Sequence, residues 1–223
     1  MYVRSIHIFF TPMAQNYPFQ TAYERNRHVI TDILNEHGLK GNGVEIGVKQ
    51  GDFSKHLLQT WKCKKLYLVD PWIAQPESTY NETHHDHDDD FSKCLDNVSS
   101  FSGRFEIVKE FSHNAYRRFD NNYFDFIYID GNHSYDAVKE DLSLWYPKLK
   151  TGGLIAGDDY TQKPEDVVFD YKFGVKRAVD EFALVHRKNV SIDLTGDWYY
   201  LTDLEISTHE RLVYPSRNWY FFK

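Results

Sequence analysis

Asp125-Phe126-Ile127-Tyr128-Ile129-Asp130-Gly131-Asn132-His133 and, further along, Gly152-Gly153-Leu154-Ile155-Ala156-Gly157-Asp158-Asp159 are the stretches whose reading decides this fold. Each is a short apolar run that ends in carboxylates. Strands buried on both faces of a parallel sheet read this way, and open α/β sheets bind ligands beyond the C-terminal ends of their strands. Asp130, Asp158 and Asp159 are therefore expected to meet at one edge of a sheet. Three carboxylates in one place repel one another unless a cation lies between them, so the pattern points to an oxygen-ligated divalent metal.

Working outward, strand-like and helix-like segments alternate. Thr21 to His37 carries Val29, Ile30, Ile33 and Leu34 at helical spacing and stops at Gly38, a good C-terminal cap. Val44 to Ile46 reads as a strand, Phe53 to Trp61 as a helix, and Leu66 to Val69 as a second strand closed by Asp70-Pro71. Phe105 to Val108, Phe124 to Ile129 and Leu154 to Ala156 read as further strands. Helices fall near Phe91 to Phe101, Asn114 to Phe119, Tyr135 to Trp145 and Gly174 to Val185. This alternation predicts an α/β fold with a mostly parallel, doubly wound sheet and right-handed crossovers. The aromatic runs Val190 to Leu194, Trp198 to Leu201 and Trp219 to Phe222 lack helices between them, which suggests an antiparallel edge. The reading is one domain, with residues 1–40 as an N-terminal helical extension and 41–223 as the core.

Composition narrows the function classes. The 223 residues have a formal net charge of −7, which argues against a nucleic-acid partner or an anionic membrane surface. No apolar run approaches the ~20 residues that span a bilayer, and Ile6 to Phe10 is too short for a signal-peptide core. Cys63 and Cys94 form neither a metal-ligand pattern nor a disulfide framework, which suits a reducing, cytoplasmic setting. Homo-oligomerisation is left open.

Val44-Glu45-Ile46-Gly47-Val48-Lys49-Gln50-Gly51 lies between the first strand and its helix. Its two glycines allow a tight turn and close approach of a ligand. The third glycine and closer spacing of a dinucleotide fingerprint are missing, and Glu45 would repel a pyrophosphate, which disfavours a hydride-transferring dehydrogenase. An ammonium or sulfonium suits Glu45 better, and Asp70 at the next strand end suits ribose hydroxyls. A ribose-bearing cation is the expected ligand.

The E-x-G-x-x-x-G motif with its strand-end Asp70 resembles the class I S-adenosylmethionine-dependent methyltransferases. The later Ile129-Asp130-Gly131-Asn132-His133-Ser134-Tyr135 and Gly157-Asp158-Asp159-Tyr160 resemble the metal-dependent O-methyltransferases, in particular the macrolide-sugar enzymes of the macrocin and mycinamicin type and, more distantly, catechol O-methyltransferase. The resemblance covers roughly residues 40 to 205. It implies a Rossmann-like seven-stranded sheet in the order 3-2-1-4-5-7-6, with strand 7 antiparallel. It also implies that Glu45, Gly47 and Gly51 shape the methionine pocket, that Asp70 holds the ribose, that Ser112 lies by the adenine, and that Asp130 borders the cofactor. Trp72 reads equally as an adenine neighbour or as a core aromatic.

An alcohol holds its proton with a pKa near ~15, and a Mg²⁺ or Mn²⁺ ion on Asp130, Asp158 and Asp159 would weaken that hold. His133 is the expected base: an imidazole ordinarily titrates near ~6.5, the sugar-modifying branch has a histidine at the matching place, and the lysine of the catechol branch is missing from this turn. The alternative is a histidine that only caps the next helix or orients a ligand. The expected activity is a Mg²⁺-dependent S-adenosylmethionine O-methyltransferase acting on a sugar hydroxyl, such as that of a rhamnose-like deoxyhexose in a glycoside or glycan. Trp145, Trp198, Tyr199 and Tyr200 are candidate sugar platforms. The competing readings are a catechol-type enzyme on a small diphenol and a non-catalytic cofactor-binding protein. The acidic run Thr83 to Asp90 reads as a solvated loop, with a lid role open.

Overall fold

The computed structural model describes residues 22–74, 86–160, 174–192 and 218–223. Residues 1–21 of the expected N-terminal extension, His84 and His85 of the acidic run, and the expected Trp198 to Leu201 strand with Trp198, Tyr199 and Tyr200 lie outside them. Among the described residues six α-helices and seven strands follow one another: α1 (Ala22–Glu36), β1 (Asn42–Ile46), α2 (Asp52–Thr60), β2 (Lys65–Val69), α3 (His87–Val98), β3 (Phe105–Val108), α4 (Ser112–Ala115), β4 (Phe124–Ile129), α5 (Tyr135–Trp145), β5 (Leu149–Gly157), α6 (Val175–Val185), β6 (Ser191–Ile192) and β7 (Trp219–Phe222). They form one mixed sheet in the order β3-β2-β1-β4-β5-β7-β6. β1 to β5 are mutually parallel, and β7 runs antiparallel to both β5 and β6. This is the expected Rossmann-like topology with its antiparallel strand near the C-terminus.

Strand alternation assigns each side chain to one of two cores. Val44, Ile46, Ile127, Ile129 and Ile155 face α5 and α6, meeting Val138, Leu142, Trp145 and Val179. Leu66, Leu68, Phe126, Tyr128 and Leu154 face the other way, against Ile30 and Leu34 of α1, Leu57 and Leu58 of α2, and Cys94 and Val98 of α3. Glu45 sits on β1 between Val44 and Ile46, so its carboxyl is delivered to the α1 and α2 side. The chain winds outward from β1 through β2 to β3, then returns to place β4 on the opposite flank of β1. The crevice where winding reverses opens between the C-terminal ends of β1 and β4.

Three expectations change in detail. β5 starts at Leu149 rather than Leu154, because Leu149 pairs with Phe124 across a register irregularity and the Gly152-Gly153 segment is accommodated within the strand. The acidic run is not a loop throughout: Asp86 is the N-cap of α3, accepting from the Asp89 N–H, and Asp88, Asp89 and Asp90 fill its first turn. Carboxylates are stabilised there by the unpaired N–H groups and the helix dipole. Trp145 is fully buried in the core, packed against Phe119 and Phe124, and cannot be a sugar platform. Among the described residues no helix is long and apolar enough to cross a membrane.

Candidate active site

The β1–α2 loop is built by Asp70. One carboxylate oxygen accepts from the N–H groups of Val48 (2.9 Å) and Lys49 (3.1 Å), and the other from Trp72 N–H (2.8 Å). Gly47, with φ 85°, carries the chain out of β1 where a Cβ would collide with the Asp130 carbonyl, so the loop lies directly on the β4 turn. Gly51 starts α2 in the left-handed region at φ 75°, where a Cβ would press on Cys94. The two glycines thus have distinct reasons, one on each side of the loop.

Next to this loop lies a cavity of about 380 Å³, lined among others by Gly47, Asp70, Trp72, Ser112, Gly131 and Asn132. Gly47, Asp70 and Ser112 thus border one cavity. Trp72 is both lining and buried, its indole N–H donating to the Lys49 carbonyl at 2.8 Å. The first turn of α3 contributes His87 and Asp90, the latter accepting from Gln50 Nε2 at 2.7 Å, so the acidic run forms cavity wall. The lining does not include Glu45 or Gly51, which lie behind it. Glu45 accepts from the Ser54 hydroxyl, and burial raises its carboxyl to about 8, the Ser54 bond and the Arg27 charge pulling only partly against this.

At the ends of β4 and β5 the acids do converge, and the cation among them is a side chain. Arg27 of α1 sends one nitrogen, Nη2, to Asp130 Oδ2 and to Asp158 Oδ2, both at 2.8 Å. Its guanidinium lies over the rings of Phe53 (5.1 Å) and Tyr128 (5.6 Å), which lets a charge sit in an apolar layer. Asp158 Oδ1 accepts from Asp159 N–H, so the Asp158 carboxylate is engaged at both oxygens. Asp159 occupies the left-handed region at φ 58°, a conformation aspartate tolerates better than most residues.

The donors that come together are Asp130, His133 and Asp159, with ligand atoms within 4.8 Å of one another. His133 Nε2 lies 3.1 Å from Asp159 Oδ2 and 3.6 Å from Asp130 Oδ1. Two carboxylates and an imidazole suit a divalent ion, and they differ from the expected trio in having His133 where Asp158 was expected. His133 does not serve as the cap of α5: the Ser134 hydroxyl accepts from Ala137 N–H, and Asn132 Oδ1 accepts from Ser134 N–H. Sequence reading missed Arg27. Its signal was a cation at position 27 on the same helical face as Ile30 and Leu34, where a core residue belongs.

Fold and site together define a class I S-adenosylmethionine-dependent methyltransferase fold. Residues 44–160 match the sequence model of a family described as a methyltransferase domain, and the chain belongs to that family. The chain is similar in fold to an O-methyltransferase from Bacillus cereus solved in complex with SAH (16% identity, TM-score 0.59, covering 95% of this chain and 84% of that one). It is similar too to an rRNA methylase from Streptococcus thermophilus (15% identity, TM-score 0.57, covering 89% and 97%). A curated relative, the uncharacterized protein R132 of Acanthamoeba polyphaga mimivirus, is 26% identical over 121 residues, 52% of this chain and 50% of the relative. The chain spans about half the length of that relative.

Proposed function

We propose that this chain transfers a methyl group from S-adenosylmethionine to a hydroxyl oxygen, and that the acceptor is a sugar, a deoxyhexose of a glycoside or glycan. The observation that carries the transfer is the Asp130, His133 and Asp159 group at the end of β4 and β5, one residue from the cavity-lining Gly131 and Asn132. The cofactor, when bound, would supply an electrophilic methyl carbon for in-line displacement, and Asp130 and Asp159 would hold a Mg²⁺ or Mn²⁺ ion, whose Lewis acidity would lower the pKa of the acceptor hydroxyl. His133 Nε2 takes the hydroxyl proton as the oxygen–carbon bond forms and the sulfur–carbon bond breaks. Asp159, at 3.1 Å, then holds the resulting imidazolium. Arg27 Nη2, 2.8 Å from Asp130 Oδ2, orients that carboxylate. The same His133 nitrogen cannot hold a proton and a metal at once, so this reading makes His133 the base and leaves the ion to the carboxylates and water.

The sugar acceptor rests on the likeness of the His133 position to the sugar-modifying branch and on the absence, from the Asp130 to Tyr135 turn, of the lysine of the catechol branch. The experiment is methyl transfer from labelled cofactor to rhamnose-type glycosides and to catechols, with and without EDTA. Transfer to the glycosides that EDTA abolishes and Mg²⁺ or Mn²⁺ restores is expected, as is a loss of about 10²–10⁴-fold in turnover for His133→Ala with cofactor affinity kept. Transfer to catechols alone overturns the sugar acceptor, and full activity in EDTA overturns the metal.

A further inference from the structure

Two cations have a claim on Asp130. Arg27 Nη2 is bonded to its Oδ2, while Oδ1 turns toward His133 at 3.6 Å and the carboxylate belongs to the donor group that could hold an ion. A guanidinium and a divalent ion would thus share one carboxylate. Both would be cations at close range among largely buried side chains, where repulsion is screened far less than in water. Arg27 acts on the donor set in a second way. The Asp158 oxygens are taken by Arg27 and by the Asp159 N–H, and Asp158 is absent from the donor group that Asp130, His133 and Asp159 form.

The guanidinium is carried by α1 and held over the rings of Phe53 and Tyr128. Further along the same helix, Ile30 and Leu34 are buried in the core and Asn35 donates to the Thr60 carbonyl at 3.0 Å. The first turns of α1 are therefore fixed to the strand ends through a charge, and the later turns through apolar packing. We propose that Arg27 sets the affinity of the site for a divalent ion by competing with it for Asp130, so that ion binding loosens the first turns of α1. This rests on the metal reading above and states what Arg27 does to it. Linkage makes the two effects one quantity: the factor by which the guanidinium weakens the ion is the factor by which the ion weakens the hold of Arg27.

The test is calorimetric titration of Mn²⁺ into the wild-type chain, Arg27→Met and Arg27→Lys at constant ionic strength. Arg27→Met is expected to bind Mn²⁺ at least about tenfold more tightly than the wild type, within the usual range of such couplings. Arg27→Lys keeps the charge and is expected to stay within about threefold of the wild type. An arginine that only fixed Asp130 in place would give the opposite sign, with affinity lost in Arg27→Met. Hydrogen exchange over residues 22–30 of the wild type is expected to quicken several-fold with Mn²⁺ and not with KCl of equal ionic strength. This second measurement needs no variant, so it decides the matter if thermal melts show Arg27→Met unfolded. Unchanged or weaker Mn²⁺ binding by folded Arg27→Met, or exchange over 22–30 that Mn²⁺ leaves unchanged or slows, overturns the competition and leaves the metal reading standing. Binding by Arg27→Met alone is the expected result in its strongest form. Binding by none of the three proteins overturns the metal reading, and the competition with it.

Discussion

A single guanidinium changes what the acidic cluster means. Three carboxylates at two strand ends were read as calling for a metal, yet Arg27 already stands between Asp130 and Asp158. Their mutual repulsion is therefore relieved within the chain, and the case for an ion is left to Asp130 and Asp159, which come together beside His133. Arg27 is 7% exposed at its side chain, with Asp130 at 12% and Asp158 at 15%, so water screens these charges little. Removing one partner of such a pair leaves the others uncompensated, typically at about 3–5 kcal/mol. Arg27→Met is expected to lower unfolding free energy by that amount in urea titrations, and adding Asp158→Asn is expected to recover part of it. A single variant as stable as the wild type would mean the acids are not held by Arg27. Nothing local in the sequence marks this pairing, because it joins α1 to β5 through side chains and has no period of its own.

Elements were easier to read than their ends. β1, β2 and β4 are buried almost throughout, and that burial is why β2 from Leu66 and β4 from Phe126 read as apolar runs, while β1 carries the buried Glu45 between Val44 and Ile46. α5 was legible from Tyr135 to Trp145 because Val138, Leu142 and Trp145 share one face, and the same periodicity could have placed Trp145 in the core. The start of α3 was missed because a dense run of acids resembles a solvated loop, although aspartate before and within a first turn is itself a start signal. The β1–α2 element allows a direct test. Gly47 and Gly103 both have φ 85°, but a Cβ on Gly103 meets nothing within 4 Å, whereas on Gly47 it meets the Asp130 carbonyl and Gly131. Gly103→Ala is expected to cost only the ~1–2 kcal/mol of left-handed backbone. Gly47→Ala is expected to cost more and to abolish S-adenosylhomocysteine binding by calorimetry, since it separates the loop from the β4 turn. Equal effects of the two substitutions would show that conformation, and not close approach, accounts for Gly47.

For the whole molecule, the strand order follows from right-handed crossovers and the run of alternating elements, which is why the winding was legible. Which carboxyls end up behind the sheet was not, because burial depends on the layer that α1 and α2 lay over β1. That burial makes stability depend on pH in a direction opposite to the usual salt-bridged carboxylate. Glu45 ionises near 4.5 in an unfolded chain and at about 8 in the folded one, chiefly because it is buried. Between these values the folded state keeps a proton that the unfolded state has lost. The stabilisation is fully present below 4.5, declines as pH rises, and is gone above about 8. Asp141 follows the same sign over a lower window, from 3.8 to about 7. Other carboxylates contribute to the total, so the measurement is the difference between wild type and Glu45→Gln, which retains a neutral side chain of the same shape. That difference is expected to shift against the wild type by up to about 1.4 kcal/mol per pH unit inside the Glu45 window and to be flat below and above it. Urea unfolding at intervals from pH 4 to pH 9 reads it directly. A difference independent of pH would mean that Glu45 is ionised in the folded protein, held so by Arg27, and would make the arginine the counter-ion of three carboxylates rather than two.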